Sequence, residues 1–322
     1  MRSIVRQLAG ALGLFWLVLS LTFLLIRVAP GDPVSFLAPP AASSAEIARL
    51  RASLDLDAPL AVQYGRWARD VFKGDLGTSF VSRRPVTSVL ADAIPVSLAL
   101  GGLSLLLTFV VGVAIGSVQG AHRNGPLDGT LTVITTTVYA APSFWLALSL
   151  IALFTFGAAR LGFPAALRLP AFGIRDPAGE SGVADLARHA ILPVLTLTLV
   201  GAAGIARYTR TAVAELLGLQ WVRTAIAKGT PARAVHVRHV LANALPMLLI
   251  LFALSLPGVL AGSVFVETVF GWPGVGRLMV SSIFARDYPV VVGATVMYAA
   301  LVIAANLAAD LAIPLVDPRQ RR

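Results

Sequence analysis

Residues 208–246 read YTRTAVAELLGLQWVRTAIAKGTPARAVHVRHVLANALP, and this basic stretch lies between two hydrophobic runs. The runs at its two ends, 189–206 and 239–266, contain no Asp, Glu, Lys or Arg. An apolar run of about 18 or more residues is the sequence signature of a helix that crosses a membrane. The stretch therefore indicates a connection between two transmembrane helices.

Four further uncharged runs of this length occur in the chain. The six runs are 7–26, 93–122, 129–159, 189–206, 239–266 and 288–309. They predict an all-α integral membrane protein with six transmembrane helices at about 8–27, 96–118, 131–156, 190–207, 245–266 and 290–312. The composition agrees, because 57% of the residues are hydrophobic and only 13% are charged, against about 25% charged in a soluble domain.

The distribution of Lys and Arg predicts the orientation. Six spans place both termini on one side, and the short segments on that side hold twelve Lys and Arg residues against six in the short segments opposite. Positive residues in short loops favour the cytoplasmic side, so we expect both termini to be cytoplasmic.

The predicted regions are 1–27 (tail and helix 1), 28–95 (external loop), 96–312 (five-helix core) and 313–322 (basic tail). The core contains the cytoplasmic segment 208–246 and the external loop 267–289.

The external loop 28–95 contains two predicted helices. Ser43 and Glu46 form a capping-box pattern that opens a short helix to about Leu54. An amphipathic helix follows from Leu60 to Phe72. It carries the aromatic residues Tyr64, Trp67 and Phe72. Two interpretations stay open: a cap on the membrane surface with its aromatics at the interface, or a docking surface for an external partner.

Several residues inside the predicted spans suggest local features. Glycine pairs at 112–116 and 258–262 would let helices pack closely, and Pro142 and Pro257 would kink theirs. The third span is rich in threonine, at Thr130, Thr132, Thr135, Thr136 and Thr137. Bonding of these hydroxyls back to their own helix is favoured over the lining of a polar passage.

The last span carries Asn306 and Asp310, which are four residues apart and share a helix face. A carboxylate at membrane depth marks a functional-site hypothesis. Because Asp310 lies near the inner boundary, we favour a structural role over ion conduction. An ion-driven secondary transporter, which would need ionisable groups near the midplane, is the alternative function.

Other functional classes lack their motifs. The chain has no cysteine, which excludes disulfides and thiolate sites, and its four histidines are too scattered for a metal cluster. Neither HExxH nor GxSxG occurs, so the motifs of two major hydrolase classes are missing. The two lysines, Lys73 and Lys228, are each followed by glycine, which excludes the phosphate-binding GK[ST] ending. The net charge of +10 is not gathered on a soluble face, so no nucleic-acid partner is expected.

The segment 208–246 has a helix–glycine–helix pattern. Apolar spacing predicts a helix over 213–228 that ends at Gly229, and Thr230 and Pro231 then fit the N-cap and first residue of a second helix. The apolar residues are Val213, Leu216, Leu217, Trp221 and Ala225. The basic residues are Arg223, Lys228, Arg233 and Arg238. The small residues at 225 and 229 would allow a partner backbone to come close, which an ordinary topology-anchoring loop does not require.

This segment resembles the cytoplasmic signature of the permease subunits of ABC importers in the dipeptide/oligopeptide/nickel group. That signature is glutamate-alanine-alanine, three residues, then glycine. Here it reads Arg223-Thr224-Ala225, three residues, then Gly229; the glutamate and the first alanine are absent, as in the peptide branch. Further matches in chain order are VAPGDP at 28–33, GDLGTS at 74–79, RHVLANAL at 238–245, ETVFGWPGVG at 267–276, ARDYP at 285–289 and DPR at 317–319.

The resemblance implies a subunit, not an enzyme, in an ATP-driven importer in the bacterial cytoplasmic (inner) membrane. It implies a coupling helix that docks on an ATP-binding subunit through Arg223, Thr224, Ala225, Lys228 and Gly229. The implied partners are a second permease in a heterodimer, two ATP-binding subunits that hold ATP and Mg, an external solute-binding protein and the lipid bilayer. The long first loop points to the first permease of such a pair, and the implied solutes are peptides, nickel chelates or glutathione-like compounds.

Overall fold

The computed structural model describes residues 2–28, 43–53, 57–176, 182–261 and 264–316. These ranges are mainly helical and contain no β-strand, only an isolated bridge between Thr78 and Pro85. The helices are α1 (Arg2–Val28), α2 (Ser44–Ser53), α3 (Leu60–Phe72), α4 (Val86–Ala121), α5 (Pro126–Ala140), α6 (Ser143–Ile151), α7 (Val183–Leu217), α8 (Gln220–Ala227), α9 (Ala232–Ser255), α10 (Gly258–Ala261), α11 (Val264–Val269), α12 (Val275–Phe284) and α13 (Tyr288–Val316). The predicted all-α class is confirmed for the described residues.

Four of these helices are long and apolar enough to cross a membrane: α4, α7, α9 and the part of α13 at Tyr288–Ala308. The pair α5–α6 adds a fifth crossing if it counts as one span. The first predicted span lies within α1, whose part at Ala9–Leu25 is apolar. The arrangement of six crossings therefore stays a prediction. The Asp310 side chain, the PGDP turn at 30–33 and the tail at 317–322 lie outside the described residues.

The third predicted span consists of two helices that meet at a sharp bend. Pro126–Ala140 and Ser143–Phe156, which includes a π-helical turn at Ala152–Phe156, meet at an angle of 102°. Ala141 between them is extended, with ψ 131°, because the ring of Pro142 disfavours the helical conformation at the residue before it. The prediction of a proline effect is confirmed, but the prediction of one helix over 131–156 is wrong.

The fourth and fifth spans have different bounds from those predicted. α7 extends the predicted 190–207 at both ends, because Arg207 and Arg210 continue the helix beyond the apolar run. α9 begins at Ala232, thirteen residues before the predicted start at 245, and ends at Ser255. The predicted interruption at Pro257 is confirmed, since α10 starts at Gly258.

One compact unit comprises Met1–Pro95 and Leu278–Ile303. Its core contains Val86 and Leu90 of α4 packed with Val290 and Ala294 of α13.

The predicted capping box is confirmed: the Glu46 carboxylate accepts the Ser43 N–H at 2.8 Å, and the Ser43 hydroxyl accepts the Glu46 N–H at 3.3 Å. The Ser43 backbone N–H also holds the pKa of Glu46 below its ordinary value.

Helix α3 packs against α1 through aromatic rings in this unit. The rings of Tyr64 and Trp67 lie 5.5 and 5.1 Å from Phe23, and Phe72 lies 4.7 Å from Trp16. The predicted helix Leu60–Phe72 has its expected bounds. Its aromatics contact another helix, so their assignment to the membrane interface alone is incomplete.

Asp287 fixes the turn at residues 79–82 of the same unit. The carboxylate is almost fully buried. It accepts the Ser79 hydroxyl proton and the backbone N–H groups of Phe80, at 2.9 Å, and Val81, at 3.3 Å. Because one side chain satisfies three donors, it ties together loop segments that are 208 residues apart.

Replacing Asp287 with alanine is expected to lower the free energy of unfolding by about 2 kcal/mol, since buried donors lose their acceptor. The apparent melting temperature of the purified protein in detergent measures the loss. Asp92→Ala is the control, because the ion pair of Asp92 with Arg84 is exposed and such pairs contribute about 0–1 kcal/mol. Equal shifts for the two variants would contradict the assigned role of Asp287.

The second unit comprises Val96–Arg277 and Ala304–Arg322. In it, α4 presents Gly112, Gly116 and Gly120 to α7. A methyl group added at Gly112 would lie 2.7 Å from Ile205 Cβ, and one at Gly120 would lie 2.7 Å from Val213 Cβ. The predicted close packing at 112–116 is confirmed and extends one turn further.

The other predicted glycine pair differs. A methyl group at Gly258 would meet nothing within 4 Å, so the prediction of close packing is wrong there, and Gly262 lies outside the described residues.

The predicted back-bonding of threonines is confirmed at two positions. Thr130 donates to the Pro126 carbonyl at 3.0 Å, and Thr135 donates to the Leu131 carbonyl at 2.8 Å.

Glu267 is the centre of a buried network in this second unit. Its carboxylate is fully buried and accepts the Ser97 hydroxyl proton at 2.6 Å and the Arg277 N–H at 3.1 Å. The Ser97 oxygen in turn accepts the Val275 N–H at 2.8 Å. A methyl group at Gly274 would lie 2.5 Å from the carboxylate. The chain at 274–277 therefore folds closely around this side chain.

Candidate functional site

Helix α8, Gln220–Ala227, forms the centre of the candidate site. The predicted helix over 213–228 is in fact interrupted, because α7 ends at Leu217 and the extended Leu219 precedes α8. At its other end α8 stops as predicted. The Thr230 N–H donates to the Ala225 carbonyl at 3.2 Å and the Gly229 N–H donates to the Ile226 carbonyl at 2.9 Å, which is the Schellman arrangement.

Gly229 is explained by its backbone conformation. Its φ of +79° is the left-handed conformation that glycine adopts without a steric penalty. A methyl group there would meet nothing within 4 Å. The predicted second helix begins one residue later than expected, at Ala232, with Pro231 at the N-cap position.

The inner face of α8 packs on this chain's own core. Val222 and Ala225 are buried against Val213 of α7 and against Val235 and Val240 of α9. The small side chain of Ala225 is therefore explained by packing within the chain rather than by room for a partner. This cluster, which we call the α8 anchor (Val213, Val222, Ala225, Val235 and Val240), holds α8 on α7 and α9.

The outer face of α8 combines apolar and basic side chains. Trp221 is 41% exposed and Ile226 is 55% exposed, and Arg223 and Lys228 are exposed beside them. Thr224 is also exposed, and its hydroxyl bonds back to the Gln220 carbonyl at 3.0 Å. Two apolar side chains open to a partner on a short helix are typical anchors of a protein interface.

Sequence reasoning counted Trp221 among the apolar residues of the predicted helix and did not select Ile226. Both side chains lie at the edges of the buried side of α8, because Trp221 is four residues from Ala225 and Ile226 is four residues from Val222. The signal for Ile226 was this spacing from Val222.

The surroundings of α8 are positively charged. Arg233 and Arg238 of α9 are exposed, as are Arg223 and Lys228. Glu215 is the only acidic residue in 208–246. A surface of this kind complements a partner surface that carries acidic residues around an apolar depression.

Just before α8, an ion pair connects α7 to α5. Arg210 donates from Nε to one oxygen of Asp128 at 2.6 Å and from Nη2 to the other at 2.7 Å. Asp128 is almost fully buried and also accepts the Asn124 N–H at 3.0 Å. Sequence reasoning missed the pair, because its members are 82 residues apart and no local pattern relates them.

Comparison with known proteins identifies the chain. Residues 112–322 match the family described as binding-protein-dependent transport system inner membrane component. Residues 1–101 match the N-terminal region of such components. The chain belongs to this permease family. The permease is therefore a transport component and a multi-pass inner-membrane protein, as the resemblance in its sequence implied.

Relatives match the permease over nearly its whole length. An oligopeptide transport system permease protein, AppB, of Bacillus subtilis is 33% identical over 98% of each chain. A protein of Brucella suis whose name describes a peptide permease is 36% identical over 99% of this chain and 98% of its own. A crystal structure of an amino acid ABC transporter with histidines matches with 15% identity and a TM-score of 0.47, over 72% of this chain and 94% of that chain.

Proposed function

We propose that the permease is the first of two permease subunits of an ATP-driven importer of peptides or similar small solutes. The names of its relatives support this class of solute. In this proposal the second permease, a different chain, completes the translocation path. Six crossings with cytoplasmic termini agree with the charge distribution of the short loops.

ATP hydrolysis belongs to other subunits in this proposal. Both lysines of the chain are followed by glycine, so a phosphate-binding loop of the GK[ST] type does not exist here. Two ATP-binding subunits would hold ATP and Mg. Their closure would shift a bundle between two packings that open to opposite sides of the membrane.

The exposed apolar and basic face of α8 is the observation that carries the proposal. The α8 anchor holds the inner face, so the outer face with Trp221, Arg223, Ile226 and Lys228 is open to an ATP-binding subunit. A partner that grips this face must displace α8 together with the ends of α7 and α9, because the anchor has members on all three helices. The face is thus suited to pass motion into the membrane body.

The test is co-purification of the permease with its ATP-binding subunits. The double variant Arg223→Glu/Ile226→Asp is expected to lose at least about tenfold in complex yield, because a fully desolvated interface anchor contributes about 2 kcal/mol or more. Transport should fall with it, and membrane insertion should stay normal. Arg123→Glu is the control, since Arg123 is an exposed arginine outside the segment 208–246. Normal complex yield and transport in the double variant would contradict docking through α8.

Energy coupling separates this function from an ion-driven transporter. Proteoliposomes with both permeases and the ATP-binding subunits should import solute only with ATP and the solute-binding protein. Uptake by the permease alone along an ion gradient would contradict the proposal.

Thermal-shift screening of the solute-binding protein with peptides, nickel chelates and glutathione then identifies the solute. Cross-links from residues 44–80 and 267–289 should reach that protein.

A further inference from the structure

The Asp128–Arg210 pair has the geometry of a rigid joint between two helices. Both carboxylate oxygens are engaged by the forked guanidinium, which fixes distance and orientation together. The side chains are only 3% and 30% exposed, so solvent does not screen the pair as it screens surface pairs. Breaking one partner of such a pair leaves a buried charge without compensation.

The joint lies on the turn of α7 that carries the α8 anchor. Arg210 precedes Val213 by three residues and so lies one helical turn from it. Val213 is fully buried in the anchor. Gly120 of α4 packs on the same turn, where an added methyl group would lie 2.8 Å from the Arg210 carbonyl oxygen. The turn 210–213 is therefore held by α4, by α5 through Asp128, and by α8 and α9 through the anchor.

From Asp128 the contacts continue through the corner of the helix pair. α5 leads to α6 across Ala141–Pro142. Ala147 and Ile151 of α6 then pack with Leu192 of α7 and Phe270 after α11. The α8 anchor, the Asp128–Arg210 pair and the cluster around Ala147 thus all include residues of α7, and the chain through α5 and α6 connects the last two.

The polar groups around the joint leave one acceptor unused. The Gln119 amide nitrogen donates to the Thr132 hydroxyl oxygen at 3.1 Å. Its carbonyl oxygen is buried and accepts no hydrogen bond within the described part of the chain. A buried acceptor without a donor is unfavourable, so a second arrangement that supplies a donor would be stabilised here. Coupling requires an element with two such arrangements.

We propose that Asp128 and Arg210 are positioning residues that make α5 follow α7 when an ATP-binding subunit displaces α8. The inference rests on the proposed docking of α8. The pair touches neither solute nor nucleotide, and it acts through the helices that it joins. Its loss uncouples ATP hydrolysis from transport and leaves docking intact.

The experiment uses the full complex in proteoliposomes and compares Asp128→Asn with wild type. We expect unchanged complex stoichiometry and unchanged basal ATP hydrolysis. Stimulation of hydrolysis by solute-loaded binding protein should fall at least tenfold, and so should the solute imported per ATP hydrolysed. Asp92→Asn, which neutralises the exposed Asp92–Arg84 pair, is the matched control and should behave as wild type.

Arg210→Lys provides a second measurement, because it keeps the charge and loses the two-point contact. It should show a smaller loss of stimulation than Asp128→Asn, and it decides the matter if Asp128→Asn fails to assemble. Stimulation within twofold of wild type would overturn the proposal, whether in an assembled Asp128→Asn complex or, if that variant fails to assemble, in Arg210→Lys. An equal fall of basal hydrolysis, stimulation and complex yield in Arg210→Lys would also overturn it. A wild-type chain that binds no ATP-binding subunit would instead refute the proposed function.

Discussion

Gly116→Val is expected to abolish the recovery of folded permease. A methyl group at Gly116 would overlap the Ala206 carbonyl oxygen and lie 2.6 Å from Thr209 Cβ. The obstacle includes the backbone of α7, which cannot move aside like the end of a flexible side chain. Overpacking in a closely packed core costs about 1–3 kcal/mol and occasionally more, and valine adds two further carbons. We expect a loss of more than about 3 kcal/mol on that scale.

The measurement is the yield of monodisperse protein after detergent extraction, followed by its apparent melting temperature. Gly102→Val is the matched control, because Gly102 is on the same helix and an added methyl group there would meet nothing within 4 Å. The two variants change helix propensity equally, so only the contact with α7 distinguishes them. Similar yields for both would show that the glycine contact between α4 and α7 is not essential.

Glu267→Leu is expected to have the second large effect, a loss of about 3 kcal/mol in the free energy of unfolding. Leucine fills much of the same volume but accepts no hydrogen bond. The Ser97 hydroxyl and the Arg277 N–H would then lose their acceptor in a buried site, at about 1–3 kcal/mol for each. Residues 274–277 should lose their fixed conformation around the side chain.

Thermal unfolding in detergent measures the loss, and limited proteolysis between 270 and 280 locates it. Glu267→Gln should lose less, because its amide oxygen still accepts one of the two hydrogen bonds. Glu215→Leu is the control at an exposed glutamate and should change stability by less than about 0.5 kcal/mol. A Glu267→Leu protein as stable as wild type would refute the role of the carboxylate.

The sequence predicted where helices occur better than where they end. Uncharged runs identify the helices because the hydrocarbon thickness demands a minimum apolar length. They do not set the ends, because α7 continues through Arg207 and Arg210 and α9 begins among the basic residues near Arg233. Charged residues stop a membrane span without stopping a helix.

The candidate site was predictable at Gly229 and not at the neighbouring side chains. A glycine after the last apolar position follows from the rule for helix C-termini, and its φ of +79° agrees. The apolar spacing did not reveal the interruption at Gly218, which separates α8 from α7. Asp128 and Arg210 meet only through the packing of α5 on α7, which no local pattern contains.

The π-helical turn at Val235–Leu241 lets α9 carry one residue more between Pro231 and its apolar part than a continuous α-helix would. Its i→i+5 bonds bring Val235 and Val240 to the same side, whereas an α-helix would separate residues five apart. One residue fewer would convert the turn to an ordinary α-helix and leave the residues after Ala242 facing nearly the same way, because the π-turn takes up the extra residue. Leu248, now buried, would then stay buried. A gap in a sequence alignment at this point would therefore signal the loss of the π-turn rather than a differently facing helix.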